Sequence, residues 1–375
     1  MFYHFVDDEQ FNFQMNRIAS YKTAINLDEL WDIAPKLKDL SSWTTEWFDL
    51  AQRAENEGRF LSATYYYRLA EFYMVDESSE KLKCYQHFMD CFHKAYKSEA
   101  LDYYKIPFEE TYLPAYKLKA ENEKGIIVAH GGYDSFIEEF FPIINDFPKN
   151  GYTVIMFEGP GQGQARKNNL TFCYDWEIPT SAILDYFHLD QVTLLGISWG
   201  GYLAPRAAAF DKRIKNVICY DIFYKGLDVF ANRMPDDVFN KLMILLKTHQ
   251  KLILNKVLNE KMKGNIDLTW KIKHGMYITG TNSPYDFLKS VQQHDLSKIT
   301  DKITQNILLL AGENDQYVPV ARLEQIKAEL VNAKSVTAKI FTKVEGGDQH
   351  CQVGNIEAAL NTMYDFLDKV EKTEA

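Results

Sequence analysis

Residues Val192-Thr-Leu-Leu-Gly-Ile-Ser-Trp-Gly-Gly201 constrain the fold more than any other stretch of this chain. Val192 to Leu195 is apolar and strand-forming, and it runs directly into Gly196-Ile-Ser198-Trp-Gly200, a G-x-S-x-G pattern. Gly201-Tyr-Leu-Ala-Pro-Arg-Ala-Ala-Ala-Phe210 follows, mostly small and apolar, as in a helix packed tightly behind a turn. Strand, sharp turn and helix in that order put Ser198 on a bend, because flanking glycines let neighbouring backbone come close. Pro205 falls in the first turns of the helix, where a proline ring is tolerated best. A serine on such a bend, beside helix N-terminal amides, is placed to act as a nucleophile. The competing structural reading is a buried serine in a glycine turn.

Around this motif the chain alternates strands and helices. Strand-like runs are Thr111 to Leu118, Gly125 to Ala129, Tyr152 to Phe157, Val192 to Gly196, Val217 to Tyr220, Ile307 to Ala311 and Thr337 to Phe341. Helical stretches separate most of them, which predicts a largely parallel, doubly wound sheet covered on both faces. Residues 1 to about 105 differ. Trp43 to Glu55, Phe60 to Met74 and Lys81 to Tyr96 carry apolar residues at helical spacing, with Gly58 breaking the first from the second. The expected organisation is a helical domain over 1–105 and an α/β domain over 106–375. Lys225 to Leu296 interrupts the alternation with a Leu-, Lys- and Met-rich helical stretch, read as an insertion over the sheet edge that could serve as a lid.

Composition narrows the partners. The formal charge of −10 argues against nucleic acid, since phosphate binding needs a basic face. The N-terminus has no basic region followed by an apolar one, and no stretch approaches the ~18–20 apolar residues of a membrane span, so no membrane partner is expected. The five cysteines, Cys84, Cys91, Cys173, Cys219 and Cys351, are scattered and odd in number. They read as reduced thiols in a cytoplasmic protein.

A serine nucleophile needs a base, and the base needs an orienting acid. Ile307-Leu-Leu-Leu-Ala-Gly-Glu-Asn-Asp315 is a buried strand ending in a polar loop, and the only histidine after it is His350, in a loop that also follows a strand pattern. Both fall at the carboxyl edge of the sheet, where open α/β sheets bind ligands. The order Ser198, Asp315, His350 is the one this arrangement requires. Asp221, just after Val217 to Tyr220, is the rival acid. Gly125-Ile-Ile-Val-Ala-His130-Gly-Gly-Tyr133 is a strand ending in H-G-G, suited to turning amides toward a developing oxyanion. The amides of Gly132 and Trp199 are assigned that task, with Tyr133 competing with Gly132. His130 is read as shaping the loop. Glu138 and Glu139 are read first as carboxylates favoured in a first helical turn, and second as substrate contacts.

Together these motifs resemble the α/β-hydrolase superfamily over about residues 106–370. The helical N-terminal block, Gly131-Gly-Tyr-Asp-Ser135, Phe157-Glu-Gly-Pro-Gly-Gln-Gly163 and Gly346-Gly-Asp-Gln-His-Cys-Gln352 are similar to a narrower subgroup. That subgroup includes dihydroxypseudooxynicotine hydrolase, fungal chain-shortening polyketide hydrolases and sequences labelled acylaminoacyl-peptidase-like. The resemblance implies an N-terminal helical cap, often a homodimer, and cleavage of an ester, an amide or a C–C bond beside a ketone. It also implies a glutamate near the substrate, for which Glu138 and Glu139 are the candidates. The resulting expectation is a Ser-His-Asp hydrolase of a small, apolar or aromatic acyl compound or a short acyl-peptide, with no metal and no organic cofactor. A non-catalytic binding protein on the same scaffold is the reading from another class.

Two further patterns are read as structural. Gly159-Pro-Gly-Gln-Gly163 has the glycines of a dinucleotide loop, but its proline and the lack of an immediate helix pattern argue against a phosphate role. Cys84, His87 and Cys91 share a helix face from which His93 points away, and they are read as packing.

Overall fold

The computed structural model describes residues 1–97, 101–232 and 234–374. The chain divides into two compact units, Met1–Leu101 with Glu138–Pro142, and Asp102–Ile137 with Ile143–Ala375.

The first unit is helical: α1 (Glu9–Ala19), α2 (Leu27–Ile33), α3 (Leu40–Asn56), α4 (Phe60–Phe72) and α5 (Ser79–Ala95). All of these helices except α4 begin where a side chain satisfies orphan amides of the first turn. Asp8 accepts from Gln10 and Phe11 ahead of α1, and Asp39 and Ser42 form a capping box on α3. α4 is buried nearly all round, with Tyr65, Tyr66 and Tyr67 inside the unit. The aromatic run at these positions therefore belongs to a core.

The second unit is built on an eight-stranded sheet. Its strands are β1 (Asp102–Phe108), β2 (Thr111–Leu118), β3 (Gly125–His130), β4 (Tyr152–Phe157), β5 (Val192–Ile197), β6 (Ile214–Tyr220), β7 (Asn306–Gly312) and β8 (Ser335–Phe341). The spatial order is β1-β2-β4-β3-β5-β6-β7-β8. β1 and β2 form an antiparallel hairpin, β2 lies antiparallel to β4, and the rest are parallel. β4, β5 and β7 are buried at every position, which explains their unbroken apolar runs.

β1 corrects the boundary placed at residue 105, which falls inside this strand. Its alternate residues are exposed and it carries Pro107, features of an edge strand that mute the apolar pattern. Between β6 and β7 the insertion folds as the helices Asp228–Ala231, Asp236–Lys247, Lys251–Met262, Ile266–Thr279 and Pro284–Val291. They pack into the main core of this unit through Leu242, Leu246, Leu254, Leu258, Ile272 and Phe287.

The strand order positions the site. From β3 the chain passes to β4 on one side and returns to β5 on the other, so the loops leaving β3 and β5 lie side by side at a topological switch point. His130 of β3 is in register with Gly196 of β5. The carboxyl ends of β6, β7 and β8 follow along the same edge.

Candidate active site

Ser198 sits between β5 and the helix Gly200–Phe210 with φ +60°, a left-handed conformation that non-glycine residues rarely adopt. The bend forces contact between its flanks: a Cβ on Gly196 would lie 2.1 Å from the Gly200 carbonyl oxygen. Ser198 is thereby raised from the strand line, with its own amide donating to the Tyr220 carbonyl at 2.6 Å.

Three strand-end loops converge on this hydroxyl. Ser198 Oγ lies 2.8 Å from His350 Nε2, and His350 Nδ1 lies 2.7 Å from Asp315 Oδ2. The neutral tautomer that satisfies both contacts donates from Nδ1 to the carboxylate and accepts the serine hydroxyl at Nε2. Asp315 is held through its other oxygen, which accepts the amides of Tyr317 at 2.6 Å and Val318 at 3.0 Å. The Tyr317 ring stands edge-on to the imidazole, with centroids 4.9 Å apart.

The electrostatics follow from burial. Burial disfavours the His350 imidazolium, but the Asp315 charge beside it outweighs this and holds the ring well above its ordinary value. Burial likewise opposes the Asp315 charge; His350 and the two backbone donors outweigh it and keep this carboxyl below its ordinary value.

Asp221 joins the cluster from the end of β6. It is fully buried, and its Oδ2 lies 3.9 Å from His350 Nδ1, against 2.7 Å for Asp315. Of the two acids weighed from sequence, Asp315 makes the hydrogen bond to the ring. Asp221 instead accepts from the Ile222 amide at 2.7 Å, and from the Cys351 amide and Gln352 Nε2 at 3.3 Å each. It thus ties down the backbone immediately after His350, where Cys351 and Gln352 both have positive φ. Burial, and then the Asp315 charge, push its carboxyl well above the ordinary carboxylate range. Asp221, Asp315 and His350 are the one group of donors among the described residues close enough to hold a cation. Both ring nitrogens of His350 are already engaged by Ser198 and Asp315, so a cation there would have to break that chain.

The H-G-G loop meets the serine bend from the β3 side. A Cβ on Gly132 would lie 2.7 Å from the Trp199 amide nitrogen and 3.0 Å from the Ile197 carbonyl oxygen, so only glycine permits this approach. The Gly132 amide, assigned from sequence to the oxyanion, donates to Ser135 Oγ at 2.6 Å. The next amide along the loop is that of Tyr133, the alternative weighed against Gly132 from sequence. His130 is wholly buried, donates from Nδ1 to the Gly131 carbonyl at 2.9 Å, and is pushed down to about 4 by burial. A ring kept neutral in a loop is a structural histidine.

Aromatic side chains crowd the same edge. Trp199 stacks on Phe223 at 4.3 Å and on Tyr133 at 5.3 Å, and Tyr133 meets Trp270 and His274 of the insertion at 6.0 and 5.4 Å. The Tyr133 hydroxyl donates to the Lys271 carbonyl, which fastens the insertion to the H-G-G loop.

Glu138 and Glu139, candidates for substrate contact, belong to the helical unit. Glu139 is held by Arg17 at 2.5 Å and Arg68 at 2.8 Å, an ion-pair role that sequence reading did not anticipate. Glu138 is buried in the same unit. Sequence reading also passed over Ser135 and Gln162, which bind the two ends of Gly132. The signal was their position: a polar residue three after H-G-G's second glycine, and the one amide in an otherwise glycine and proline loop.

Comparisons with known proteins agree with this architecture. The chain is similar to Hydrolase LUC6 of Fusarium sp, 26% identical over 405 residues that cover 96% of each chain. It is similar to 20-hydroxy-prefusarin hydrolase FUS2 of Gibberella moniliformis, 25% identical over 404 residues, again covering 96% of each. Among solved structures, 2,6-dihydroxy-pseudo-oxynicotine hydrolase matches with TM-score 0.67 at 20% identity, over 94% of this chain and 95% of that one. AbyA5 matches with TM-score 0.70 at 17% identity, over 95% and 94%. No described helix is long and apolar enough to cross a membrane. Residues 125–352 match the family model of the alpha/beta hydrolase fold, and with more than half its length so matched this chain belongs to that family.

Proposed function

We propose that this protein is a serine hydrolase that cleaves an acyl bond of a small, largely apolar or aromatic substrate. The observation that carries the reading is the unbroken hydrogen-bond chain Ser198–His350–Asp315, at 2.8 and 2.7 Å. In this mechanism Ser198 Oγ attacks the acyl carbon and its proton passes to His350 Nε2. Asp315 steadies the imidazolium that forms. The Trp199 and Tyr133 amides receive the oxyanion of the tetrahedral intermediate. Collapse breaks the bond to the leaving group, which takes the proton from His350. Water then hydrolyses the acyl-serine by the same steps, with His350 again acting as base and then as acid.

The aromatic surroundings, Tyr133, Trp199, Phe223 and Trp270, favour a flat or apolar substrate. Relatives named for hydrolysis of 20-hydroxy-prefusarin and 2,6-dihydroxy-pseudo-oxynicotine support the same class. Ester, amide and ketone-adjacent C–C bonds all use this apparatus, so the bond type is a matter for assay.

The test is fluorophosphonate labelling and a substrate panel of esters, acylated amino-acid amides and β-diketones, with wild type against Ser198→Ala. Labelling of wild type alone is expected, with turnover in the variant reduced by about 10⁴-fold or more at nearly unchanged melting temperature. Undiminished turnover in a folded Ser198→Ala protein refutes the reading.

A further inference from the structure

Gln162 stands at the centre of the Gly159–Gly163 loop that leaves β4, and it is buried to 1% exposure. Its side-chain amide is used at both ends. Oε1 accepts from the Gly159 amide at 3.0 Å, and Nε2 donates to the Gly132 carbonyl at 2.9 Å. The first bond folds the side chain back on its own loop. The second crosses to the loop that leaves β3.

The carbonyl of Gly132 and the amide of Tyr133 are two ends of one trans peptide group, and in such a group they point in opposite directions. Whatever fixes the carbonyl therefore fixes the amide. The preceding amide, of Gly132, is independently anchored to Ser135 Oγ at 2.6 Å. A second link joins the same two loops: the Glu158 carboxylate accepts from the Gln164 amide at 2.6 Å and from the Ile137 amide at 3.3 Å. The β3 loop is thus braced against the β4 loop at both its start and its end, and Gln162 is the brace that holds the carbonyl of the peptide carrying the Tyr133 amide.

We propose that Gln162 is a positioning residue of the oxyanion hole, holding the Gly132–Tyr133 peptide so that the Tyr133 amide faces the acyl oxygen alongside the Trp199 amide. This rests on the reading of Ser198 as nucleophile. Gln162 touches no reacting atom. It acts by keeping a donor aligned, which matters more in the transition state, where the oxygen carries charge, than in the ground state. The glycine-rich loop that resembles a nucleotide cradle serves here as a brace.

Gln162→Met keeps the side chain's length and removes both hydrogen bonds. With p-nitrophenyl acetate, kcat should fall by about 10–100-fold while KM stays within about twofold, a fraction of what loss of a whole oxyanion donor does. Affinity for a trifluoromethyl ketone, whose serine adduct bears the oxyanion, should fall by the same factor as kcat/KM. Gln162→Glu supplies the second arm. Ionised, it sets a carboxylate against the Gly132 carbonyl; protonated, it donates to that carbonyl as the amide does. Its activity relative to wild type at each pH should therefore rise as pH falls. Unchanged kcat in folded Gln162→Met overturns the proposal, as does a loss without matching change in ketone affinity. Should Gln162→Met fail to fold, a pH-independent ratio for Gln162→Glu overturns it instead. Failure of the nucleophile reading shows separately, as turnover that survives in Ser198→Ala.

Discussion

Two clusters of charge are buried in this protein, and they are arranged on opposite principles. In the helical unit, Arg17, Arg68 and Lys81 interleave with Glu139, Glu71 and Asp76. Glu139 bridges the two arginines at 2.5 and 2.8 Å, Arg68 also bonds Glu71, and Lys81 meets Glu71 at 3.3 Å and Asp76 at 2.9 Å. Three cations face three carboxylates, and every charge has an opposite neighbour. At the sheet edge two carboxyls, Asp221 and Asp315, face a single imidazole. There the charges do not balance. One carboxyl is pulled below its ordinary range, the other is pushed above it, and the ring is made more basic. Balanced burial gives a rigid network with no proton to move, whereas imbalance gives groups poised to exchange one.

The contrast can be broken at several points. The largest effect is expected at Asp315→Asn, where kcat should drop by about 10⁴-fold because the imidazole loses both its tautomer and its counter-charge. Because Asp315 raises the His350 pKa, the acid limb of kcat/KM, on which activity climbs with pH as His350 loses its proton, should also move to lower pH in this variant. A pH–rate profile reads both, and an unmoved limb contradicts the electrostatic account.

In the balanced cluster, Arg68→Met leaves Glu71 and Glu139 each short of a partner. Loss of about 3–5 kcal/mol of stability is expected, as for other buried pairs broken from one side. Urea denaturation measures it, and the acid limb of kcat/KM in the surviving folded fraction should stay where it is. A shifted limb would mean the two clusters are not independent.

The smallest effect belongs to Asp221→Asn. An amide of the same shape keeps an oxygen to accept from the Ile222, Cys351 and Gln352 donors, and Asp315, not Asp221, bonds the ring, so kcat should change by less than about tenfold and the acid limb should stay nearly in place. Asp221→Ala, which cannot accept from Cys351 and Gln352, should lose more than Asp221→Asn. Equal losses in the two variants would show that the hydrogen bonds to the His350 loop are idle.

Much of the site could be read along the chain because its signals are local. Strand runs such as Tyr152 to Phe157 are unbroken because both faces are covered, and Ser198 announces itself through its glycines. The weak points were positions where the decisive neighbour is distant in sequence. β1 hid because an edge strand exposes every second residue and tolerates Pro107. Glu139 offered no sign of its arginines, which lie 122 and 71 positions away in the chain (139 − 17, 139 − 68). Gly132 and Tyr133 could not be separated along the chain, since the contacts that orient the Gly132 amide and carbonyl, to Ser135 and Gln162, are made only in the folded loops.

Residue order alone determined the succession of strand, tight turn and helix around Ser198, and the arrival of an acid and then a histidine at later strand ends. Those follow from short-range propensity and from hydrophobic period. Only the folded sheet decided which of two acids reaches the imidazole, 2.7 Å for one and 3.9 Å for the other. Hydrogen bonds and charge interactions change sharply over a single ångström, and the relative placement of β6, β7 and β8 to that accuracy is a property of packing across the whole sheet.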